Sequence, residues 1–257
     1  MPFTLAHPAA VLPLRGVARL RTAPLMIGAM IPDLPAFLPG GLHRYARVTH
    51  VFAHSFTIDL LLGYLALGGI FLLQHPLTAL LWPRARALCL HALEPLRRPS
   101  TWFWAGPAIL LGIWTHLMWD SFTHPEGWIV QRVPALSASL TMGPYHSTVY
   151  HALQYLSSIV GLCVLVLWYD RLPAPLVGAA EGTPRSAAGP VLLLVATAAV
   201  LIGGVQALEL FEHMPSVYHT LDLFCTDALK WFAALYLTAG VVLTLEHDAP
   251  QLPGARG

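Results

Sequence analysis

Polar positions interrupt the chain at a spacing that leaves five long apolar runs, over residues 55–74, 102–123, 149–168, 190–208 and 228–245. Each run is 18 to 22 residues long. A helix rises about 1.5 Å per residue, so about 20 residues match a hydrocarbon core about 30 Å thick. The pattern predicts five membrane-spanning helices. Between them lie connections rich in Pro, Gly and charge, such as HPLTALLWPRARALCLHALEPLRRPS and YDRLPAPLVGAAEGTPRSAAGP. The second is a flexible linker by composition. No internal repeat links the runs.

The first 54 residues follow a different pattern. MPFTLAHPAAVLPLRG lacks a basic start and a small-residue cleavage site, so it does not read as a cleavable signal peptide. APLMIGAMIPDLPAFLPGG is apolar but broken by Pro32, Asp33, Pro35 and Pro39, too short and too interrupted to span. Irregular backbone at membrane depth is tolerated where protein buries it or water reaches it. A re-entrant or interfacial segment packed against the bundle is expected here. The fold class is then an all-α polytopic membrane helical bundle, one domain over residues 1–248. Within it, residues 1–54 form the re-entrant part and 55–248 the five-span bundle, with a disordered tail at 249–257.

Composition supports the same class. Of 257 residues, 56% are hydrophobic and 11% charged, whereas a soluble domain carries about 25% charged residues. A net charge of +1 leaves no basic stripe for nucleic acid, so the bilayer is the expected partner. Cys89, Cys163 and Cys225 form no Cys-x-x-Cys pair and are expected to pack as small apolar residues.

The ionisable residues are sorted unevenly. If the chain crosses at each run, ten of the thirteen histidines fall on one face, with Asp33, Asp120, Glu126, Glu209, Glu212 and Asp222. His75, His91 and His247 fall on the other. Ionisable groups placed at spans mark functional sites, because lipid penalises them unless they are paired or wet. The arginines divide six to seven between the faces, so charge sets no orientation.

Within WTHLMWDSFTHPEGW, His116, Asp120 and His124 recur at four-residue steps. Four residues turn a helix by about 400°, so the three stack on one face if the helix reaches His124. Imidazole and carboxylate at this spacing suit Zn²⁺, Mn²⁺ or Fe²⁺. VTHVFAHSF repeats the device with His50 and His54. Asp33 sits at a break in an apolar segment, and His7 precedes Pro8 on the same face. Each has a plainer reading. His116 and Asp120 could be a core histidine and its counter-ion. Asp33 could cap a helix, and the loop histidines could be ordinary surface groups. Convergence of separate segments on one face favours a metal.

MPFTLAHPAAVLPL, MIGAMIPDLPAFL, AHSF and THLMWDSFTHPEGW, in this order, resemble a family of bacterial integral membrane proteins, the domain-of-unknown-function family numbered 4184. The pattern is also distantly similar to inner-membrane proteins labelled metal-dependent hydrolases. The resemblance points to His7, Asp33, His54, His116, Asp120 and His124, and implies a bacterial cytoplasmic membrane. Taken together, the expectation is metal-dependent hydrolysis at one membrane face. Asp33, His54, His116 and Asp120 would hold a divalent metal, with His7 and His124 as catalytic groups or further ligands. A lipid or phosphoester is the natural substrate at headgroup depth. Two rivals come from other classes: a polar clasp between helices or partner-binding site that holds no metal, and a metal-ion carrier, which would lead such groups through the membrane.

Overall fold

A computed structural model describes residues 4–17, 20–38, 42–142, 145–173, 188–213 and 217–248. Among these described residues the chain is mainly helical, with one small hairpin, and carries nine α-helices in order: α1 (Thr22–Gly28), α2 (Ala46–Thr49), α3 (Ile58–Leu72), α4 (Gln74–Thr78), α5 (Pro83–Leu93), α6 (Pro99–Thr123), α7 (Val149–Arg171), α8 (Ala188–His213) and α9 (Val217–Asp248). The hairpin pairs β1 (Ser139–Met142) with β2 (Tyr145–Thr148), antiparallel, Ser139 opposite Thr148. The all-α class holds. The hairpin is an addition that no run of apolar residues announced.

Among the described residues, three helices are long and apolar enough to cross a bilayer: α7 over Val149–Arg171, α8 over Ala188–Glu209 and α9 over Leu223–Glu246. Only 11%, 22% and 6% of their apolar windows are buried by protein. Apolar surface on that scale needs lipid, because water-soluble monomers do not expose it. The chain is a membrane-type helical protein. Of the other two expected spans, the first is α3, apolar but only 15 residues long. The second is α6, 25 residues, which carries His116, Asp120 and the internal Pro107. Cys89, Cys163 and Cys225 are free and exposed rather than packed. The linker at 174–187 and the tail at 249–257 lie outside the described residues.

The chain packs as two compact units, Met1–Gly68 with Leu96–Pro173, and Gly69–Pro95 with Ala174–Gly257. In the second, α8 and α9 form a pair in which Gly203 lies against the backbone of Ala228. Trp231 Nε1 donates to Gln206 Oε1 at 3.2 Å. Tyr236 donates to the Leu77 carbonyl at 2.9 Å, holding α4 on α9.

The first unit contains all six residues expected at the site. Its N-terminal stretch is a 3-10 helix over Thr4–Gly16, a form suited to a segment holding Pro8 and Pro13. This stretch lies along α7, with Ala6 against Gly161 and Arg15 over the Trp168 ring. The chain then returns along α6. Leu25 and Ala29 lie against Gly112, and the Ala29 carbonyl reaches His116. Val11, Leu25, Ala29 and Ala108 are buried together between these pieces. Arg15, which precedes the first apolar run as His7 and His50 do, lies near the C-terminal end of α7, against Trp168.

Candidate metal centre

Four short pieces of chain deliver the polar groups. Asp33 lies in a 3-10 turn over Ile31–Phe37, started by Pro32. A second proline, Pro35, keeps this turn from winding into an α-helix. Thr49, the last residue of α2, donates to the Pro32 carbonyl at 2.6 Å and fixes that turn against α2. His50 follows directly. His116 and Asp120 stand one helical turn apart on α6 and share its buried face. Helix α6 stops at Thr123 because Pro125 forces His124 into extended backbone (φ −124°, ψ 146°).

The two central histidines are held alike. His50 Nδ1 lies 2.6 Å from the Ala46 carbonyl, and His116 Nδ1 lies 2.8 Å from the Ala29 carbonyl. A carbonyl only accepts, so each ring carries its proton on Nδ1 and turns a bare Nε2 inward when neutral. His50 Nε2 is 3.4 Å from Asp33 Oδ1 and 3.2 Å from Asp120 Oδ2. His116 Nε2 is 3.8 Å from Asp33 Oδ1 and 3.3 Å from Asp120 Oδ2. Both Nε2 atoms and both Asp120 oxygens are buried and make no hydrogen bond. Asp33 is oriented from behind by Thr4, which donates to Oδ2 at 2.6 Å.

Such a set fits a metal ion. One ligand atom from each of Asp33, His50, His116 and Asp120 lies within 4.8 Å of the others. Ligands about 2.0–2.2 Å from a tetrahedral Zn²⁺ stand about 3.3–3.6 Å apart, close to the four distances found. Buried polar atoms without partners are rare in folded proteins. Here several converge on one point, and imidazole Nδ1 atoms tied to carbonyls are a common support of metal-binding histidines.

Charge is shared through the group. Burial alone would raise the Asp33 carboxyl, but His116 and His50 outweigh it and hold Asp33 at about 2. Burial alone would lower His50, yet the facing Asp120 and Asp33 carboxylates raise it to about 10. His7 is lowered to about 4, by burial and then by its neighbour His116.

Asp120 turns its other oxygen the opposite way. Oδ1 lies 3.7 Å from His7 Nε2 and 3.3 Å from His124 Nδ1. His7 stacks on His116, ring centres 3.9 Å apart. Gln154 on α7 places its amide nitrogen 3.1 Å from His124 Nε2. A small polar cavity of about 10 Å³ opens on this side, lined by Thr4, His7, Asp120, Thr123, His124 and Gln154 among others. It has room for one water molecule.

The chain belongs to the DUF4184 family. That family, described as a domain of unknown function, matches residues 1–245. No curated protein and no solved structure matches the chain.

Of the six positions expected to serve this DUF4184 chain, the structure brings Asp33, His116 and Asp120 into the four-residue group. His7 and His124 flank Asp120 from its other side. His54 stands apart, with Nδ1 on the Val48 carbonyl at 2.8 Å. His50 faces the carboxylates where the resemblance pointed to His54. The chain turns at His50 before a separate 3-10 turn, Phe52–Phe56, so the two rings do not share a helix face. The pair His50/His54 was visible in the sequence, but nothing there could rank its members. Thr4 and Gln154 carry no sequence signal, being single polar residues brought in by folding.

Proposed function

We propose that this chain is a metal-dependent hydrolase of a bacterial cytoplasmic membrane, holding one divalent metal through Asp33, His50, His116 and Asp120. Zinc suits the nitrogen and oxygen donors best, with manganese or iron as alternatives. One observation carries the reading: two imidazoles, the buried His116 and the partly buried His50, are each tied to a carbonyl through Nδ1 and aim buried, unpartnered Nε2 atoms at the same two carboxylates. When bound, such an ion would supply Lewis-acid activation of a water for attack on an ester, provided it takes that water in addition to the four residues, since a site closed by four protein ligands is structural.

The chain's own residues supply the rest. Thr4 keeps Asp33 turned inward, and Ala29 and Ala46 keep both imidazoles oriented. Gln154 donates to His124 Nε2, which leaves the His124 proton on Nδ1, facing Asp120. A ring held in one tautomer at the mouth of a water-sized cavity is suited to move a proton to or from a reacting group. His7, kept neutral by burial, can accept one on the other side. A lipid phosphoester or similar amphiphile is the substrate class, since the site lies in a unit bounded by a membrane-length helix.

Incubating metal-loaded and chelated protein in detergent with phosphomonoesters, phosphodiesters and phospholipids tests the reaction. Hydrolysis should appear only in the loaded sample. His124→Gln should lower it about 100-fold while metal content stays intact. A fully loaded protein that turns over no ester contradicts the hydrolase reading.

One observation favours a second reading. Thr4–Asp33, the His7–His116 stack and the His50 contacts tie four segments together, as a purely structural clasp would. A clasp predicts no bound metal and tolerance of His116→Gln.

A further inference from the structure

At the C-terminal end of α7, a cavity of about 430 Å³ is lined by Arg15, Val164, Leu167, Trp168, Arg171 and Leu172, with Pro173 beside them. No carboxylate lines it among the described residues. Two guanidinium groups meet here from separate segments. Arg15 closes the N-terminal 3-10 helix and lies 5.8 Å from the Trp168 ring centre. Arg171 ends α7. The indole Nε1 of Trp168 is buried and makes no hydrogen bond. Val164 and Leu167 are exposed apolar residues on a helix of membrane length.

We propose that this cavity binds the headgroup of an anionic phospholipid. Planar guanidinium groups bind phosphate oxygens with paired, charge-assisted hydrogen bonds. The Trp168 ring holds the Arg15 guanidinium over its face, and indole is the best of the aromatic rings for such a contact. Trp and Arg at the end of a spanning helix stand at headgroup depth. The exposed Val164 and Leu167 continue from the cavity along α7 as a track for acyl chains. The volume suits a headgroup, since ligand sites run from about 300 to 1,000 Å³. The site is separate from the metal centre and does not rest on it. The two share the 3-10 helix, which carries Thr4 and His7 at one end and Arg15 at the other, so a bound lipid would anchor the segment that helps to hold Asp33.

Native mass spectrometry of the full chain in detergent, titrated with dioleoylphosphatidylglycerol or dioleoylphosphatidylcholine, tests the proposal. The parent should retain the anionic lipid preferentially. Arg15→Gln and Arg171→Gln should each weaken retention about fivefold, the worth of one cation near a charged headgroup. Trp168→Phe should weaken it as well, and Arg132→Gln, whose guanidinium stacks on Trp128, should change nothing. Arg15→Lys separates binding from folding, because it keeps the charge and should restore most of the retention. Inorganic phosphate at millimolar concentration should not displace the lipid. Equal retention of both lipids, or retention unchanged in the Arg→Gln variants, overturns the proposal. Displacement by inorganic phosphate also overturns it, by making the site one for soluble anions.

Discussion

His50 and His54 are four residues apart, and the backbone gives them different tasks. His50 Nε2 faces two carboxylates, whereas His54 is turned to the Val48 carbonyl. His50→Gln should therefore cost more metal affinity than the about 10–100-fold typical of losing an outer partner. His54→Gln should leave metal content unchanged, and competition with a chromophoric chelator reads both. Charge coupling gives a second outcome, for the metal-free protein. His50 is raised from 6.5 to about 10, so its stabilisation is full below 6.5 and is lost as pH rises through 10. His7 is lowered from 6.5 to about 4. The unfolded chain takes up that proton first, so stability is lost as pH falls from 6.5 through 4. Asp33, lowered to about 2, stabilises above its ordinary 3.8, and this is lost as pH falls through 2. Chelated protein should melt highest near about pH 6.5 and lower on either side, and a flat profile would contradict the coupling. Metal must displace the His50 proton, so uptake at pH 7 should release about one proton, measurable by calorimetry in buffers of different ionisation heat.

Elements set the site through close approach. A Cβ on Gly112 would collide with the Leu25 carbonyl and the Ala29 amide. That contact lets α1 ride against α6, and it places the Ala29 carbonyl 2.8 Å from His116 Nδ1. Gly112→Ala should cost about 1–3 kcal/mol of stability and, by shifting the carbonyl, about 10–100-fold in metal affinity. Gly69→Ala, where a Cβ meets nothing within 4 Å, should be neutral or stabilising in helix α3. Helices of this kind were the legible part of the sequence. The apolar runs located α6 to α8 to within five residues at each end, because lipid-facing helices need unbroken apolar stretches, whereas α9 starts at Val217, eleven residues before the run at 228–245 that marked it. Residues 4–57 were less legible. Their short 3-10 turns, broken by Pro8, Pro13, Pro32 and Pro35, have no period long enough to read. The sequence therefore placed Asp33 and His7 at the site by type and order, without the geometry that holds them. His50 and His54 could not be ranked for the same reason: four-residue spacing implies a shared face only if one helix carries both residues.

At the scale of the whole molecule, every residue of the candidate centre belongs to the unit formed by Met1–Gly68 and Leu96–Pro173. The other unit, Gly69–Pro95 with Ala174–Gly257, supplies two of the three membrane-length helices. The sorting of histidines to one face grouped His7, His50, His116 and His124, which stand around Asp120. It did not anticipate that the N-terminal segment would run along α7 and carry Arg15 to the far end. No periodicity encodes that path; Gly161 and Gly112 make room for it. The central claim is that Asp33, His50, His116 and Asp120 hold a metal. Elemental analysis of the detergent-purified chain, beside a His116→Gln, Asp120→Asn double variant, tests this most directly. A metal centre predicts about one equivalent of zinc, manganese or iron per chain in the parent and none in the variant. A folded parent that holds no metal after incubation with each of the three ions contradicts it, and leaves the cluster a clasp between helices.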